Sequence, residues 1–285
     1  MKLTNDKRVL IVGLGLIGGS YAKALTKKGY HVSAITRSQA TIDYALENGI
    51  IVEGSAQIDP HLIGTADILV FALYPQVFID WIKQYQQHIK PGAILTDVTG
   101  VKCSVVYEVQ SLLRNDVEFI AAHPMAGREV YGIENSDDQI FRMANYIVTP
   151  TDRNTPEAIM LCEQLGWELG FARVSRLSPE EHDDMIGFLS QLTHCIAVSL
   201  MNCNDTPGME AYTGDSFRDL TRIARINDQM WAELFLRNRE ILLQHMDAFS
   251  KSFGAFRDML EAGDVDGMRE AMRHSTQRRK LFDKK

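Results

Sequence analysis

Residues 7–20 read KRVLIVGLGLIGGS and decide the fold of the N-terminal half of the chain. The apolar run 9–12 predicts a buried parallel strand, and the glycines after it open a helix. Gly13 allows a tight turn, Gly15 lets the backbone approach a pyrophosphate, and Gly18 lets helix and strand pack closely. A dinucleotide is expected to contact five residues of this turn: Gly13, Gly15, Leu16, Ile17 and Gly18. A purely structural glycine turn is the alternative.

The composition is that of an ordinary globular protein with room for two domains. The chain has 285 residues, of which 45% are hydrophobic and 24% charged. Its net charge of −7 and the lack of a Lys/Arg block argue against a nucleic-acid partner. We expect a cytoplasmic protein without a membrane segment, because no apolar stretch reaches about 18 residues. The four cysteines lack the spacing of a metal site, so no metal is expected.

Apolar runs alternate with segments of helical period through the first part of the chain. Beyond the first strand, the runs are 32–35, 68–72, 93–95, 118–121, 146–148 and 171–174. This alternation predicts an α/β fold, a doubly wound Rossmann-type sheet that forms a dinucleotide-binding domain over residues 1–177.

The sequence pattern changes at Ser178-Pro179-Glu180-Glu181, which has the form of a capping box and predicts a helix to about Asn202. No strands are predicted after it. Further helices are expected at 215–224, 230–249 and 265–273, which gives an all-helical C-terminal domain over residues 178–285. Its apolar stripe (Leu234, Ile241, Leu242 and Met246) either supports a homodimer or packs within the chain.

The residues after the second strand bear on the choice of cofactor. NAD selectivity usually needs an acidic residue there, but the sequence has Thr36, Arg37 and Ser38. A guanidinium and two hydroxyls suit a 2′-phosphate, so NADP is favoured over NAD. The alternative is that Arg37 stacks on the adenine, in which case both cofactors are accepted.

A histidine loop follows the run at 118–121. Residues 123–129, HPMAGRE, contain a proline and a glycine that predict a tight loop exposing His123 and bringing Glu129 back towards it. An imidazole has the right pKa to accept a proton from an alcohol as hydride leaves the same carbon. A structural role for the histidine is the alternative.

Three arginines are spaced to share one face of the helix predicted at 215–224. Arg218, Arg222 and Arg225 lie at i, i+4 and i+7. Such a cluster needs either bound anions or partner carboxylates to offset its charge.

These motifs together resemble the prephenate dehydrogenases, a family of the tyrosine pathway that also includes arogenate dehydrogenases. The resemblance covers essentially the whole length. Its motifs occur in order: the glycine turn, DVTGVK at 97–102, HPMAG at 123–127, SQLTH at 190–194 and FRDLTRIA at 217–224.

The resemblance implies oxidation of prephenate with transfer of hydride to NAD(P)+ and loss of carbon dioxide. His123 would accept the proton of the ring hydroxyl, and Arg222, assisted by Arg218, would bind a substrate carboxylate. His194, Glu129 and Trp231 would line the site, and Trp231 would act in its own chain, across a dimer, or only as a core residue. Gly100 occupies a slot where some members have serine, so Thr99 is expected to supply the hydroxyl instead.

Several functions stay open at this stage. An arogenate dehydrogenase would use the same residues, and a hydroxyacid or imine reductase would share the architecture without needing Arg222. A non-catalytic NADP sensor would need neither His123 nor the arginines, because a fold alone does not establish activity.

Overall fold

The computed structural model describes residues 3–128 and 130–283. Two compact units divide the chain, Met1–Asn238 and Arg239–Lys285. The domain boundary predicted at 177/178 falls inside the first unit and stays a prediction.

A six-stranded parallel sheet forms the centre of the first unit. Its strands are β1 (Arg8–Val12), β2 (His31–Ile35), β3 (Glu53–Ser55), β4 (Ile68–Phe71), β5 (Ile94–Asp97) and β6 (Glu118–Phe119). The connecting helices are α1 (Leu16–Lys27), α2 (Gln39–Glu47), α3 (Pro60–Thr65), α4 (Pro75–Tyr85) and α5 (Cys103–Leu112). The order β3-β2-β1-β4-β5-β6 reverses between β1 and β4, where open α/β sheets bind ligands beyond the carboxyl ends of the strands. The Rossmann-type fold is confirmed.

Both faces of this sheet are covered, as the continuous apolar strands predict. Val9 and Ile11 belong to one buried cluster, and Leu10 and Val12 belong to the other. Successive side chains of a strand point to opposite faces, so β1 anchors both layers of helices.

The prediction of a single sheet is wrong in one respect. Three strands, β7 (Ala121–Pro124), β8 (Asn145–Thr149) and β9 (Arg173–Arg176), form a separate sheet in which β7 is antiparallel to β8, with α6 (Pro156–Glu168) between β8 and β9. The chain leaves the parallel sheet after Phe119 because side chains replace a neighbouring strand at Ala122. Its N–H donates to Asp97 Oδ1 at 3.0 Å, and its carbonyl accepts from Lys102 Nζ at 2.6 Å.

After β9 the first unit is mainly helical. Its helices are α7 (Pro179–Ile186), a π-helical segment (Gly187–Leu192), α8 (Thr193–Asn202), a 3-10 turn (Met209–Tyr212), α9 (Asp215–Thr221), a second 3-10 turn (Arg222–Ala224) and α10 (Asp228–Arg237). The predicted capping box is present, with Ser178 Oγ accepting from the Glu181 N–H at 3.1 Å. By length and composition alone, Pro179–Asn202 could also cross a membrane, a criterion that core helices of soluble proteins meet as well.

The second unit contains α11 (Arg239–Ala262) and α12 (Val265–Arg279), which pack against each other. The sequence predicts one helix over 230–249, whereas the structure has a break at Asn238. The side chain of Asn238 is buried and donates to the Asp183 carbonyl at 2.9 Å and to Gln191 Oε1 at 2.8 Å. These bonds account for the break, since they hold Asn238 against the helical segment 179–202.

Candidate active site

The glycine turn has the geometry of a dinucleotide cradle. Gly13 has a φ of +100°, and a Cβ there would lie 2.4 Å from the Ala72 carbonyl oxygen. At Gly18 a Cβ would lie 1.9 Å from the Gly13 carbonyl oxygen, whereas at Gly15 it would meet no protein atom within 4 Å. Close packing therefore requires glycine at positions 13 and 18, whereas Gly15 leaves open space beside the backbone.

The N-terminus of α1 is suited to an anion. Gly15 is its N-cap without a side-chain hydrogen bond, and its first turn contains no acidic residue. The first backbone N–H groups and the helix dipole are thus available to a phosphate. These features fit the pyrophosphate of a dinucleotide.

A cleft of about 610 Å³ begins at this turn and lies within the first unit. The loops after β1, β4, β5 and β7 form one side, and residues of 186–194 and 223–234 form the other. The predicted site residues that line it are Gly15, Leu16, Ile17, Gly18, Thr99, His123, His194 and Trp231. A nucleotide at the cradle and a substrate beside His123 would therefore share one space.

His123 belongs to a chain of hydrogen-bonded side chains. Its Nδ1 lies 2.8 Å from Nε2 of His182, and Nδ1 of His182 lies 2.8 Å from Asp183 Oδ1. Asp183 also accepts the backbone N–H groups of Lys102, at 2.7 Å, and Cys103, at 2.8 Å. The start of α5 and the start of α7 are thereby joined behind the imidazole.

The electrostatic surroundings keep His123 neutral. Burial, with smaller contributions from His182 and Lys102, holds its pKa well below the ordinary value of 6.5. Burial also lowers the pKa of His182, although Asp183 opposes that shift. A neutral ring is the form that can accept a proton.

Thr99 and Gly100 shape the cleft beside His123. The Thr99 hydroxyl lies within hydrogen-bond distance of the Asp97 carboxylate and, at 3.0 Å, of the Val101 carbonyl oxygen, so its single proton is engaged within its own turn. A Cβ at Gly100 would lie 3.9 Å from His123 Cε1 and 3.5 Å from Leu234 Cδ1. A small side chain therefore fits at position 100.

His194 and Trp231 stack against each other in the same cleft, with ring centroids 3.7 Å apart. Nδ1 of His194 lies 2.8 Å from the Ser190 carbonyl oxygen and donates to it, because a carbonyl can only accept. In the neutral ring, Nε2 is then the nitrogen with the lone pair.

The predicted arginine face is wrong in its geometry. The helix α9 ends at Thr221, Arg222 begins the 3-10 turn, and Arg225 has an extended backbone, so the three arginines do not share an α-helical face. Arg218 pairs with Asp215, at 2.5 Å, and Arg225 is the arginine of this cluster that lines the cleft.

Two family models match the chain in succession. The model described as "Prephenate dehydrogenase, nucleotide-binding domain" matches residues 21–174, and the one described as "Prephenate dehydrogenase, dimerization domain" matches residues 178–274. The chain belongs to the prephenate dehydrogenase family. It is an oxidoreductase of the NAD(P)-binding type, as the resemblance implied.

Curated relatives and solved structures agree with this membership. The prephenate dehydrogenase of Bacillus subtilis is 28% identical, with 91% of this chain and 72% of that protein covered. A cyclohexadienyl dehydrogenase of Zymomonas mobilis is also 28% identical, with 97% and 96% covered. The structure of A. aeolicus prephenate dehydrogenase in complex with hydroxyphenyl propionate and NAD+ has a TM-score of 0.90 at 29% identity, with 97% and 98% covered.

Not every predicted site residue of this family member lines the cleft. Among the described residues, Gly13, Arg218 and Arg222 are outside its lining, and so are the three residues after β2. Of those three, Ser38 caps α2 by accepting the Thr41 N–H at 3.2 Å. Glu129 lies outside the described residues.

Sequence reasoning missed His182 and Asp183, which are 0% and 1% exposed. They follow the capping box directly, where acidic residues usually serve the helix dipole. A signal was nevertheless present, because both share a helix face with the apolar Ile186, also buried. Ionisable residues on the buried face of an amphipathic helix need partners.

Proposed function

We propose that this member of the family converts prephenate to 4-hydroxyphenylpyruvate and carbon dioxide, with NADP+ favoured as the hydride acceptor. One observation carries the proposal: a neutral imidazole, His123, opens into the same cleft as the glycine cradle. A nicotinamide nucleotide held at the glycine turn would supply the acceptor for the hydride of the carbon that bears the hydroxyl. His123 binds that hydroxyl and accepts its proton, and aromatisation of the ring drives the reaction.

The other residues hold the substrate. Arg222, with Arg218, is proposed to bind a substrate carboxylate, as the resemblance implies. Arg225 is placed to take part as well, because it lines the cleft. His194, Trp231 and Thr99 form the walls, and Glu129 is kept as a proposed site residue.

The NADP preference rests on the residues after β2. Arg37 is exposed, and none of Thr36, Arg37 and Ser38 is acidic. A guanidinium and hydroxyls favour that phosphate. NAD is the alternative cofactor, and the A. aeolicus relative binds NAD+.

We further propose a cytoplasmic homodimer formed through the helical domain 178–285. The family model that matches most of this region is described as a dimerization domain. On α11, large apolar side chains are exposed, including Phe253 at 67% and Leu260 at 64%. A second copy would cover them. The boundary at 177/178 is supported by the two family models, of which the first ends at residue 174 and the second begins at residue 178.

Initial rates in a two-by-two grid test the function: prephenate or arogenate against NAD+ or NADP+. Reduced nicotinamide absorbance together with 4-hydroxyphenylpyruvate, fastest with prephenate and NADP+, is the expected result. A faster rate with arogenate would assign the chain to the arogenate branch. No turnover in any of the four mixtures would reject the proposal.

A further inference from the structure

In the hydrogen-bonded series His123–His182–Asp183, the nitrogen atom that carries each proton can be assigned. Burial of His182 and Asp183 excludes competing water, and both side-chain contacts are 2.8 Å long. Asp183 is ionised: burial raises its pKa, but hydrogen bonds from His182 and from the N–H groups of Lys102 and Cys103 outweigh burial and hold the pKa below its ordinary value. An ionised carboxylate can only accept hydrogen bonds.

The direction of each hydrogen bond follows from that carboxylate. Nδ1 of His182 must donate to Asp183, so a neutral His182 has its lone pair on Nε2. Nδ1 of His123 must then donate to His182. The neutral ring of His123 therefore has its lone pair on Nε2.

We propose that His182 and Asp183 are positioning residues that keep the His123 proton on Nδ1, so that Nε2 is the atom that accepts the substrate's hydroxyl proton. The proposal rests on the function proposed above. In this step the O–H bond of the substrate breaks, its electron pair stays on oxygen, and the proton bonds to Nε2. The same proton returns to the oxygen once the ring is aromatic, which balances the reaction.

The charges around His123 favour this arrangement. Lys102 and Asp97 face it from the β5–α5 segment and form a closed ion pair, with Nζ 2.8 Å from Oδ2. On the helix side, Cys103 lies beside Asp183 and is uncharged, because burial raises the pKa of its thiol to about 12. Asp183 is thus the carboxylate that offsets the transient cation on His123, through His182.

An NMR spectrum tests these proton positions independently of any activity measurement. In ¹⁵N-histidine-labelled protein, the ring nitrogen shifts distinguish the two neutral tautomers, and His123→Asn and His182→Gln spectra assign the signals. We expect both histidines as the Nδ1–H form at neutral pH. An Nε2–H form of His123 would overturn the proposal.

Kinetics of Asp183→Asn test the consequence. An amide can turn its NH₂ towards His182, which reverses both hydrogen bonds and places the His123 proton on Nε2. We expect kcat to fall by about 10²–10⁴-fold, the range for loss of a general base or of its tautomer, with KM changed less than about threefold. Asp184→Asn, which removes the same charge from the exposed neighbouring position, is the matched control and should keep kcat.

A second pair of variants covers the case in which Asp183→Asn fails to fold. His182→Gln retains an acceptor for His123 Nδ1, whereas His182→Leu removes it, so the Gln variant should keep a higher kcat. Equal kcat in these two variants, an unchanged kcat in Asp183→Asn, or a loss confined to KM would each overturn the proposal. Inactive wild-type protein would instead reject the proposed function, and the spectrum would then decide the tautomer alone.

Discussion

Lys102 Nζ lies 2.8 Å from Asp97 Oδ2, and neither side chain is exposed to solvent. Together they bind the N–H and carbonyl of Ala122, the residue before His123. The ion pair therefore fixes the strand that presents the imidazole, although neither charge lines the cleft.

Lys102→Met should destabilise the fold strongly, because it leaves Asp97 buried without a counter-charge. Loss of one partner of a buried pair costs about 3–5 kcal/mol, measurable by urea unfolding. Adding Asp97→Asn should recover part of the loss. The exposed pair Lys83–Glu108, at 2.9 Å, is the matched control, and Lys83→Met should cost less than about 1 kcal/mol. Equal effects of the two lysine substitutions would contradict the role of burial.

The enzyme should stay active at pH values below 6.5, the ordinary pKa of a histidine. Neutral His123 is the proposed proton acceptor and its pKa is lowered in the free protein, so the acid limb of the kcat/KM profile should lie below 6.5. The contribution of His123 and His182 to the free energy of unfolding should be fully present above pH 6.5. It should decline as the pH falls from 6.5 through their lowered pKa values, since the unfolded histidines then bind protons that the folded ones do not. An acid limb centred at or above 6.5 would contradict this.

Gly15→Ala and Gly18→Ala should separate cofactor binding from folding. The alanine at 15 meets no protein atom within 4 Å, so the variant should fold normally yet bind nicotinamide nucleotide weakly, because its methyl enters the space of the pyrophosphate. At 18 the methyl would lie 1.9 Å from the Gly13 carbonyl oxygen, so thermal stability should fall too. Gly254→Ala, on α11 with open space, is the control. Normal nucleotide affinity in Gly15→Ala would refute the cradle.

Arginine and histidine variants should affect different kinetic constants. Arg222→Ala and Arg225→Ala should each remove a proposed charged hydrogen bond to substrate, worth about 1.5–3 kcal/mol, which corresponds to a KM raised by about 10–150-fold. His123→Asn should mainly lower kcat. Arg239→Ala, an exposed arginine paired with Glu240, is the control. The reverse pattern of kcat and KM would count against these roles.

Cofactor preference should depend on Arg37. Arg37→Ala should raise the KM for NADP+ and leave that for NAD+ nearly unchanged, because only NADP+ has the 2′-phosphate. Thr41→Ala, in the helix α2 that follows Arg37, changes no charge and serves as the control. An equal change for both cofactors would indicate that Arg37 stacks on the adenine instead.

Local patterns predicted much of the fold and part of the site. The glycine turn, the buried strands and the capping box depend on neighbours in sequence, and the structure has them as predicted. The separate sheet of β7 was not predictable in this way, because the bonds of Ala122 come from side chains outside its own strand.

In the candidate active site, too, contacts between segments distant in sequence could not be predicted from local patterns. His123 was found from its loop, whereas its link to Asp183 depends on a contact between segments 59 residues apart. The helix predicted at 215–224 is α-helical only to Thr221 and continues as the 3-10 turn Arg222–Ala224, a change of winding that the side-chain pattern does not predict.

The π-helical segment Gly187–Leu192 determines which residues share a side of the helical run from α7 to α8. His194 follows His182 by twelve positions, which in an uninterrupted α-helix would set them about 120° apart around the axis. The wider turns accommodate one extra residue, worth about 100° of rotation, which leaves the backbone positions of His182 and His194 only about 20° apart around the axis. Deleting a single residue from this segment would therefore rotate one histidine out of alignment with the other while leaving both helices intact.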